Sequence, residues 1–387
     1  MTDLASWRAQ FPILATCTYL VSHSLGAMPL GARDKLARFA DQWATRGVRA
    51  WHEGWWEIGR TTGDLLAPIL GVPRGSVSMH QNVSVAQAIV ASCYRYDGPR
   101  RRVVMSALEF PTNLYLYHAF ERFGAEVVVV PADDPVRVDT ARFLDAIDER
   151  TVLVPFSLVL FKSAFVQDAQ AIVEKARRVG AHTIADVYQA AGTLPLDLAA
   201  LGVEYAVGGS VKWLCGGPGA GYLYVRPDLA PSLAPAVTGW AAHARPFQFE
   251  AGSIDYADPS ERFQTGTPNV AAWSMAQAGY EIVANIGVAR IREHSQRLTG
   301  RIVDHALARG YEVRSPLAAE ARGGTVTLAV PNSEQVAQAL LGRQVIIDHR
   351  PGAGIRMAPH FYTTEAEVDS ALATLDELVS AGAGVVG

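Results

Sequence analysis

The chain has 387 residues, of which 49% are hydrophobic and 19% charged, and a net charge of −4. That length is enough for two domains, because single cores stop growing near about 250–300 residues. The charge balance leaves no electrostatic footprint for nucleic acid or an anionic membrane surface. No apolar run approaches the ~20 residues of a membrane span, and no signal-like segment opens at Met1. Cys17, Cys93 and Cys215 are scattered and without metal spacing, which suits a reducing compartment without disulfides. The expectation is a soluble cytoplasmic protein whose partner is a small molecule, with no metal.

Residues 1–30 read as an irregular arm, since Gly26 and Pro29 interrupt any helix there. A helix follows over 31–46, with Leu36, Phe39, Ala40 and Trp43 at a period of three to four residues. The cluster Trp51-His52-Glu53-Gly54-Trp55-Trp56 is too aromatic for open solvent, and reads as a packing surface that a second subunit is one way to cover. From residue 76, short apolar strands (103–107, 127–130, 152–156, 183–185) alternate with helices (83–94, 112–123, 140–149, 168–179). Such alternation predicts a mainly parallel sheet covered on both faces, in a large domain spanning 31–268. Two more strands, 205–208 and 222–225, bracket Lys212. A long helical stretch over 269–309 breaks at Gly287. Beyond it come strands at 312–314, 325–330, 345–347 and 354–357 with helices at 333–341 and 364–380, a small α+β domain spanning 269–387.

The chemistry concentrates between Asp186 and Gly221. Asp186 ends an apolar strand and so stands at the carboxyl edge of the sheet, where open parallel sheets bind their ligands. A lone Asp there is also a common turn or cap residue. Lys212 sits between Gly208-Gly209-Ser210 and Trp213-Leu214, in a neighbourhood poor in charge. A desolvated lysine has a lowered pKa and can form a Schiff base, although a surface turn would also hold one. The run Gly217-x-Gly219-x-Gly221 precedes a strand and lacks dinucleotide spacing, which makes it a poor dinucleotide fingerprint. Phosphate is better served at Asn82, Val83 and Ser84, where a helix N-terminus offers free amides, with Ser210 as a further hydroxyl. Phe110 follows a strand and can stack on a planar ring or fill the core. Arg356, on an apolar strand, needs an anion: either a substrate carboxylate or Asp348.

Together these residues resemble the class V aminotransferase family of fold-type I pyridoxal phosphate (PLP) enzymes, and most of all kynureninase and its relatives. The resemblance runs along nearly the whole chain. It rests on Ser24-Leu25-Gly26 with Pro29, Phe110-Pro111-Thr112, Asp186, Ser210-x-Lys212, Gly239-Trp240 with His243, and Gly354-Ile355-Arg356 with Ala358-Pro359. It implies an α/β fold of type I, a large domain with a mainly parallel sheet plus a small C-terminal α+β domain, and PLP as cofactor. It further implies that Lys212 carries the cofactor and Asp186 pairs with its ring nitrogen. Gln189 would contact the phenolic oxygen and Phe110 would stack on the ring. Asn82, the Val83 amide, Ser84 and Ser210 would hold phosphate. Arg356, with Asn113 and His23, would bind the amino-acid substrate. Thr267, in Gly266-Thr267-Pro268-Asn269, would reach the neighbouring subunit's phosphate with Trp240 close by, so a homodimer with shared sites is expected.

The implied reaction is hydrolysis of an amino acid bearing a γ-carbonyl, with Cβ–Cγ cleavage to alanine and an acid. Transamination, epimerisation and β-elimination are the family's alternatives. A cysteine desulfurase would need a nucleophilic cysteine near Arg356, and Asp348–Pro359 holds none. Val211 stands where kynureninases carry a tyrosine, and Asn113 where they carry an aspartate.

Overall fold

The computed structural model describes residues 4–257 and 259–382; residues 1–3 of the arm and 383–387 of the closing segment lie outside the described residues. The first half of the chain is built from β1 (Thr18–Tyr19), α1 (Leu30–Arg46), α2 (Ile58–Leu70), β2 (Val77–His80), α3 (Val83–Ala91), β3 (Arg102–Ser106), α4 (Pro111–Phe120), β4 (Glu126–Val130), α5 (Thr140–Asp145) and β5 (Thr151–Ser157). There follow α6 (Ala169–Val179), β6 (His182–Asp186), α7 (Leu198–Leu201), β7 (Tyr205–Gly209), β8 (Gly221–Val225), α8 (Val270–Ile286) and α9 (Val288–Ala308). The chain ends with β9 (Glu312–Val313), β10 (Val326–Ala329), α10 (Ser333–Gly342), β11 (Val345–Ile346), β12 (Asp348–Arg350), β13 (Gly354–Met357) and α11 (Glu365–Ser380).

Seven strands form one sheet in the order β2-β8-β7-β6-β5-β3-β4. Only β8 runs against its neighbours; the ladders from β7 to β4 are all parallel. Parallel strands buried on both faces read as continuous apolar runs, and β7 and β8 are buried at every position. The parallel direction sends the carboxyl ends of β3, β5, β6 and β7 to one edge. Because β8 is reversed, its first residue, Gly221, returns to that same edge, so the turn carrying Ser210 and Lys212 lies there too.

A second, antiparallel sheet has the order β12-β13-β10-β9, and a separate apolar cluster joins its β10 and β13 to α9, α10 and α11. Here the pattern reading needs two corrections. The strand expected at 345–347 does not join this sheet: β11 pairs in parallel with β1 of the N-terminal arm. The strand β12, with the sequence Asp-His-Arg, lacks any apolar alternation and was not expected. The helix expected over 140–149 also stops early, at Asp145, and α2, which no pattern announced, packs with α1 against α8.

The arm does more than lead into α1. Its Gly26 N–H donates to the Val211 carbonyl at 2.8 Å, and a Cβ at Gly26 would stand 2.1 Å from the Lys212 carbonyl oxygen. The arm thus clamps the lysine turn from outside the sheet, at a contact only glycine allows. Gly26→Ala forces this contact apart and is expected to cost about 1–3 kcal/mol through overpacking, read as a lowered melting temperature.

Candidate functional site

Four adjacent strands present their carboxyl ends as a row. β7 leads to Ser210 and Lys212, β6 ends in Asp186, β5 ends in Ser157, and β3 leads to Glu109 and Phe110. Ser157 and Asp186 are direct ladder partners, and the Val187 N–H donates to the Val207 carbonyl at 2.9 Å.

Lys212 Nζ stands 4.3 Å from the Tyr188 ring centroid and 5.7 Å from that of Phe110. Burial lowers its pKa to about 8; the charge of Asp186 opposes the shift, while Arg356 and Arg350 add to it. Desolvation disfavours the ammonium, so a useful fraction of this amine is neutral and nucleophilic near neutral pH. Asp186 is 6% exposed and one of its oxygens accepts the Tyr188 N–H at 2.9 Å. Burial raises its pKa, against the Tyr188 amide, Lys212 and Asn113, which favour the charged form. The second Asp186 oxygen is not taken by that bond.

The phosphate-type features lie on the same edge. Asn82 caps α3 by accepting the Val85 N–H at 3.0 Å, which leaves the amides of Val83 and Ser84, like all first-turn amides, without intrahelical partners. A Cβ on Gly221 would come within 2.7 Å of the Asn82 backbone, so glycine lets β8 start against this helix end. Ser210 adjoins it: its hydroxyl donates to the Ala220 carbonyl at 2.6 Å and makes a very short contact with the Tyr280 hydroxyl. Gly208 and Gly209 are equally tied to aromatics, since a Cβ there would lie 2.3 Å from the Tyr222 hydroxyl and 2.5 Å from the Tyr188 ring.

Gln189 is buried with its carbonyl accepting the Trp213 indole N–H at 2.9 Å and its amide donating to the His23 carbonyl at 3.0 Å. One of its two amide N–H groups remains. Phe110 is 42% exposed and packs edge-on to Phe161 at 5.1 Å, leaving ring surface open.

The choice left open for Arg356 falls to Asp348, which stands directly opposite it in the β12–β13 ladder. The guanidinium grips that carboxylate through Nε at 2.7 Å and Nη2 at 2.5 Å, and Nη1 donates to the Phe161 carbonyl at 2.6 Å. Three of its five N–H donors are thereby used, and one on each terminal nitrogen remains for a substrate carboxylate. Burial alone would push the Asp348 carboxyl up, but His23 and Arg356 outweigh it and hold it well below the ordinary range. His23 approaches Asp348 at 3.2 Å, yet neither ring nitrogen makes a well-directed hydrogen bond. Burial lowers its pKa to about 4, so it is neutral here.

Asn113 is fully buried, bonded to Gln87 and Glu109, and takes the place of an internal connector instead of facing a substrate. Lys212 is not among the residues lining the cavity that holds Trp240. Trp240 lines a cavity of about 260 Å³ with Trp56, Phe247, Gly266, Pro268 and Trp273, and Thr267 is exposed. Sequence reasoning passed over Tyr188, Tyr280 and Glu109. Only Glu109 left a local signal, an acid three residues beyond the end of a buried strand.

The donor set suits PLP. A buried lysine of lowered pKa, a carboxylate oxygen beside it, an open aromatic face and a helix N-terminus are the parts such a cofactor needs from a protein. Fold and site together define a PLP enzyme of fold type I. The family model of aminotransferase class-V matches residues 27–369, and the chain belongs to that family; PLP is its cofactor. It is 29% identical over 97% of its length to a kynureninase of Pseudomonas fluorescens, covering 92% of that protein. It is 31% identical to the uncharacterized aminotransferase YcbU of Bacillus subtilis, covering 95% of each chain. Among solved structures, an apo cysteine desulfurase from Thermococcus onnurineus superposes with a TM-score of 0.86 at 19% identity, over 98% of this chain and 99% of the other.

Two outcomes follow from the lysine. Lys212→Ala abolishes the visible cofactor band that borohydride removes from the unaltered protein. The rate at which the cofactor-free protein captures PLP rises with pH and levels off above about 8, where an ordinary lysine would keep rising towards about 10.4.

Proposed function

We propose that the chain is a kynureninase-like hydrolase, cleaving the Cβ–Cγ bond of an amino acid with a γ-carbonyl to release alanine and a carboxylic acid. The observation that carries the cofactor chemistry is the amine of Lys212, lowered to about 8 and set beside Asp186. The 29% identity to a kynureninase, spread over 97% of the chain, favours this reaction within the family.

Lys212 would hold PLP at its carbonyl carbon and Asp186 at the ring nitrogen across the ring from it, with Val83, Ser84 and Ser210 at its phosphate and Phe110 against its ring. When bound, the cofactor supplies an electron sink for charge developing at the substrate α-carbon. Lys212, neutral in part near pH 7, can accept the α-proton as general base. Asp186 keeps a negative charge where the pyridine nitrogen would lie, and the Tyr188 N–H holds one of its oxygens in place. Arg356 offers its two remaining N–H donors to the substrate carboxylate, while Asp348 keeps the guanidinium from turning. Gln189 has one N–H left for an oxygen on the ring.

The thiols speak against persulfide chemistry of the desulfurase kind. Burial pushes Cys215 and Cys93 up to about 12 and raises Cys17 as well, so none is an activated nucleophile. Transamination is the second reading, favoured by the 31% identity to YcbU and by Val211, which places no proton donor next to Lys212.

We further propose a homodimer with shared sites. Trp43 (64%), Phe249 (76%) and Phe247 (52%) are exposed around the aromatic cluster, Trp56 meets Trp240 edge-on at 5.5 Å, and Thr267 faces outward beside it. Among the described residues no helix is long and apolar enough to cross a membrane.

Incubating the PLP-loaded protein with kynurenine is expected to yield anthranilate and alanine in equal amounts. Keto-acid-dependent amine transfer without anthranilate would sink the hydrolase reading in favour of the second. Sedimentation is expected to show a species of twice the chain mass, and Phe249→Asp to shift it towards the monomer.

A further inference from the structure

Two neighbours decide which way the side-chain amide of Gln189 faces. Its Oε1 accepts the Trp213 indole N–H at 2.9 Å, and its Nε2 donates to the His23 carbonyl at 3.0 Å. An indole nitrogen can only donate and a backbone carbonyl can only accept. Turning the amide over would set N–H against N–H and oxygen against oxygen, so both contacts reject the flipped state. Held this way, the Gln189 nitrogen keeps one unused N–H while its oxygen stays turned to the indole.

Trp213 is itself held on two sides. It directly follows Lys212 and is 1% exposed. Its carbonyl accepts the Nε2–H of His360 at 2.7 Å, and the two rings meet edge-on at 5.3 Å. Burial lowers the His360 pKa to about 3, so the imidazole is neutral and this bond fixes its proton on Nε2. Gly324, just before β10, leaves room for the indole, since a Cβ there would stand 2.6 Å from its ring carbon Cη2. A buried indole N–H needs an acceptor in any case, and a backbone carbonyl would meet that need. Here the acceptor is the one side chain that the cofactor reading sets at the phenolic oxygen.

We propose that Trp213 is a positioning residue: its indole N–H locks the Gln189 amide against turning over, so that Gln189 offers the phenolic oxygen of PLP an N–H and not its own oxygen. This rests on the reading in which Gln189 meets that oxygen, and makes no use of the reaction the enzyme goes on to catalyse. The titratable groups beside the pair are His23 from the arm and His360 from beyond β13. Burial lowers them to about 4 and about 3, so neither changes charge near neutral pH.

The test is a pH titration of the visible band of the PLP-loaded protein, with PLP retention on dialysis as a second readout. A donor on the phenolic oxygen stabilises its negative charge and weakens its hold on the proton it shares with the Lys212 nitrogen. Trp213→Phe is therefore expected to raise the midpoint of the band by up to about one unit and to weaken retention about threefold to tenfold, the range of a single hydrogen bond. Gln189→Leu should raise the midpoint at least as far. In the Gln189→Leu background, Trp213→Phe should move the midpoint little further, as for two members of one chain of contacts. The charges acting on Lys212, from Asp186, Arg356, Arg350 and Asp348, are the same in every variant. If Gln189→Leu moves the midpoint and Trp213→Phe does not, or if Trp213→Phe moves it equally in both backgrounds, the positioning role is wrong and the Gln189 reading stands. If Gln189→Leu leaves the midpoint unchanged, that reading falls and this proposal with it. Circular dichroism checks that each variant is folded. Should Trp213→Phe not fold, benzothienylalanine at the same position removes the N–H with the ring shape kept, and an unmoved midpoint there overturns the proposal.

Discussion

The structure depends on keeping a lysine amine out of water at the edge of a parallel sheet. An ammonium loses its hydration there, and the resulting fall in pKa leaves part of the Lys212 amine neutral near pH 7. Everything near it serves to hold that position without neutralising it by a tight ion pair. Tyr188 and Phe110 surround the amine with ring faces, Asp186 stands close enough to favour the charged form only in part, and the arm closes the turn from outside through Gly26.

Charge around this amine is arranged in two separate acid groups. On the β6 side, Asp186 and Glu109 are buried, each held by neutral donors, and raised in pKa. On the small-sheet side, Asp348 is surrounded by Arg356, Arg350 and His23 and held low. The first group stays sensitive to a cation brought by a cofactor. The second is already satisfied, and its work is to hold Arg356 in a single orientation. The contrast explains why one acid is suited to meeting a pyridine nitrogen while the other is suited to fixing a guanidinium.

Fold class was legible in the chain because buried parallel strands are continuous apolar runs, and those from 102 to 225 were located to within a residue or so. What escaped was structure whose stability is tertiary. β12 is three polar residues held by β13, β11 is a strand because β1 lies beside it, and α2 is a helix packed between its neighbours. The site was legible where a residue's place follows from the strand before it, as with Asp186, Lys212, Phe110 and the cap at Asn82. Tyr280 was not, because it reaches Ser210 from 70 residues away.

The sequence by itself determined the type of chemistry, since an acid after a strand, a lysine among small residues and a capped helix are local features with local physical reasons. Tertiary structure decided which partners those residues keep. Arg356 faces Asp348 because two short strands lie in register, Asn113 turns inward because its nitrogen donates to Glu109 while its oxygen accepts from Gln87, and Trp240 lines a cavity whose lining does not include Lys212. Hydrogen bonds and ion pairs of this kind join residues far apart in sequence. No local pattern encodes them, because they arise only when the sheet brings separate strand ends to one edge.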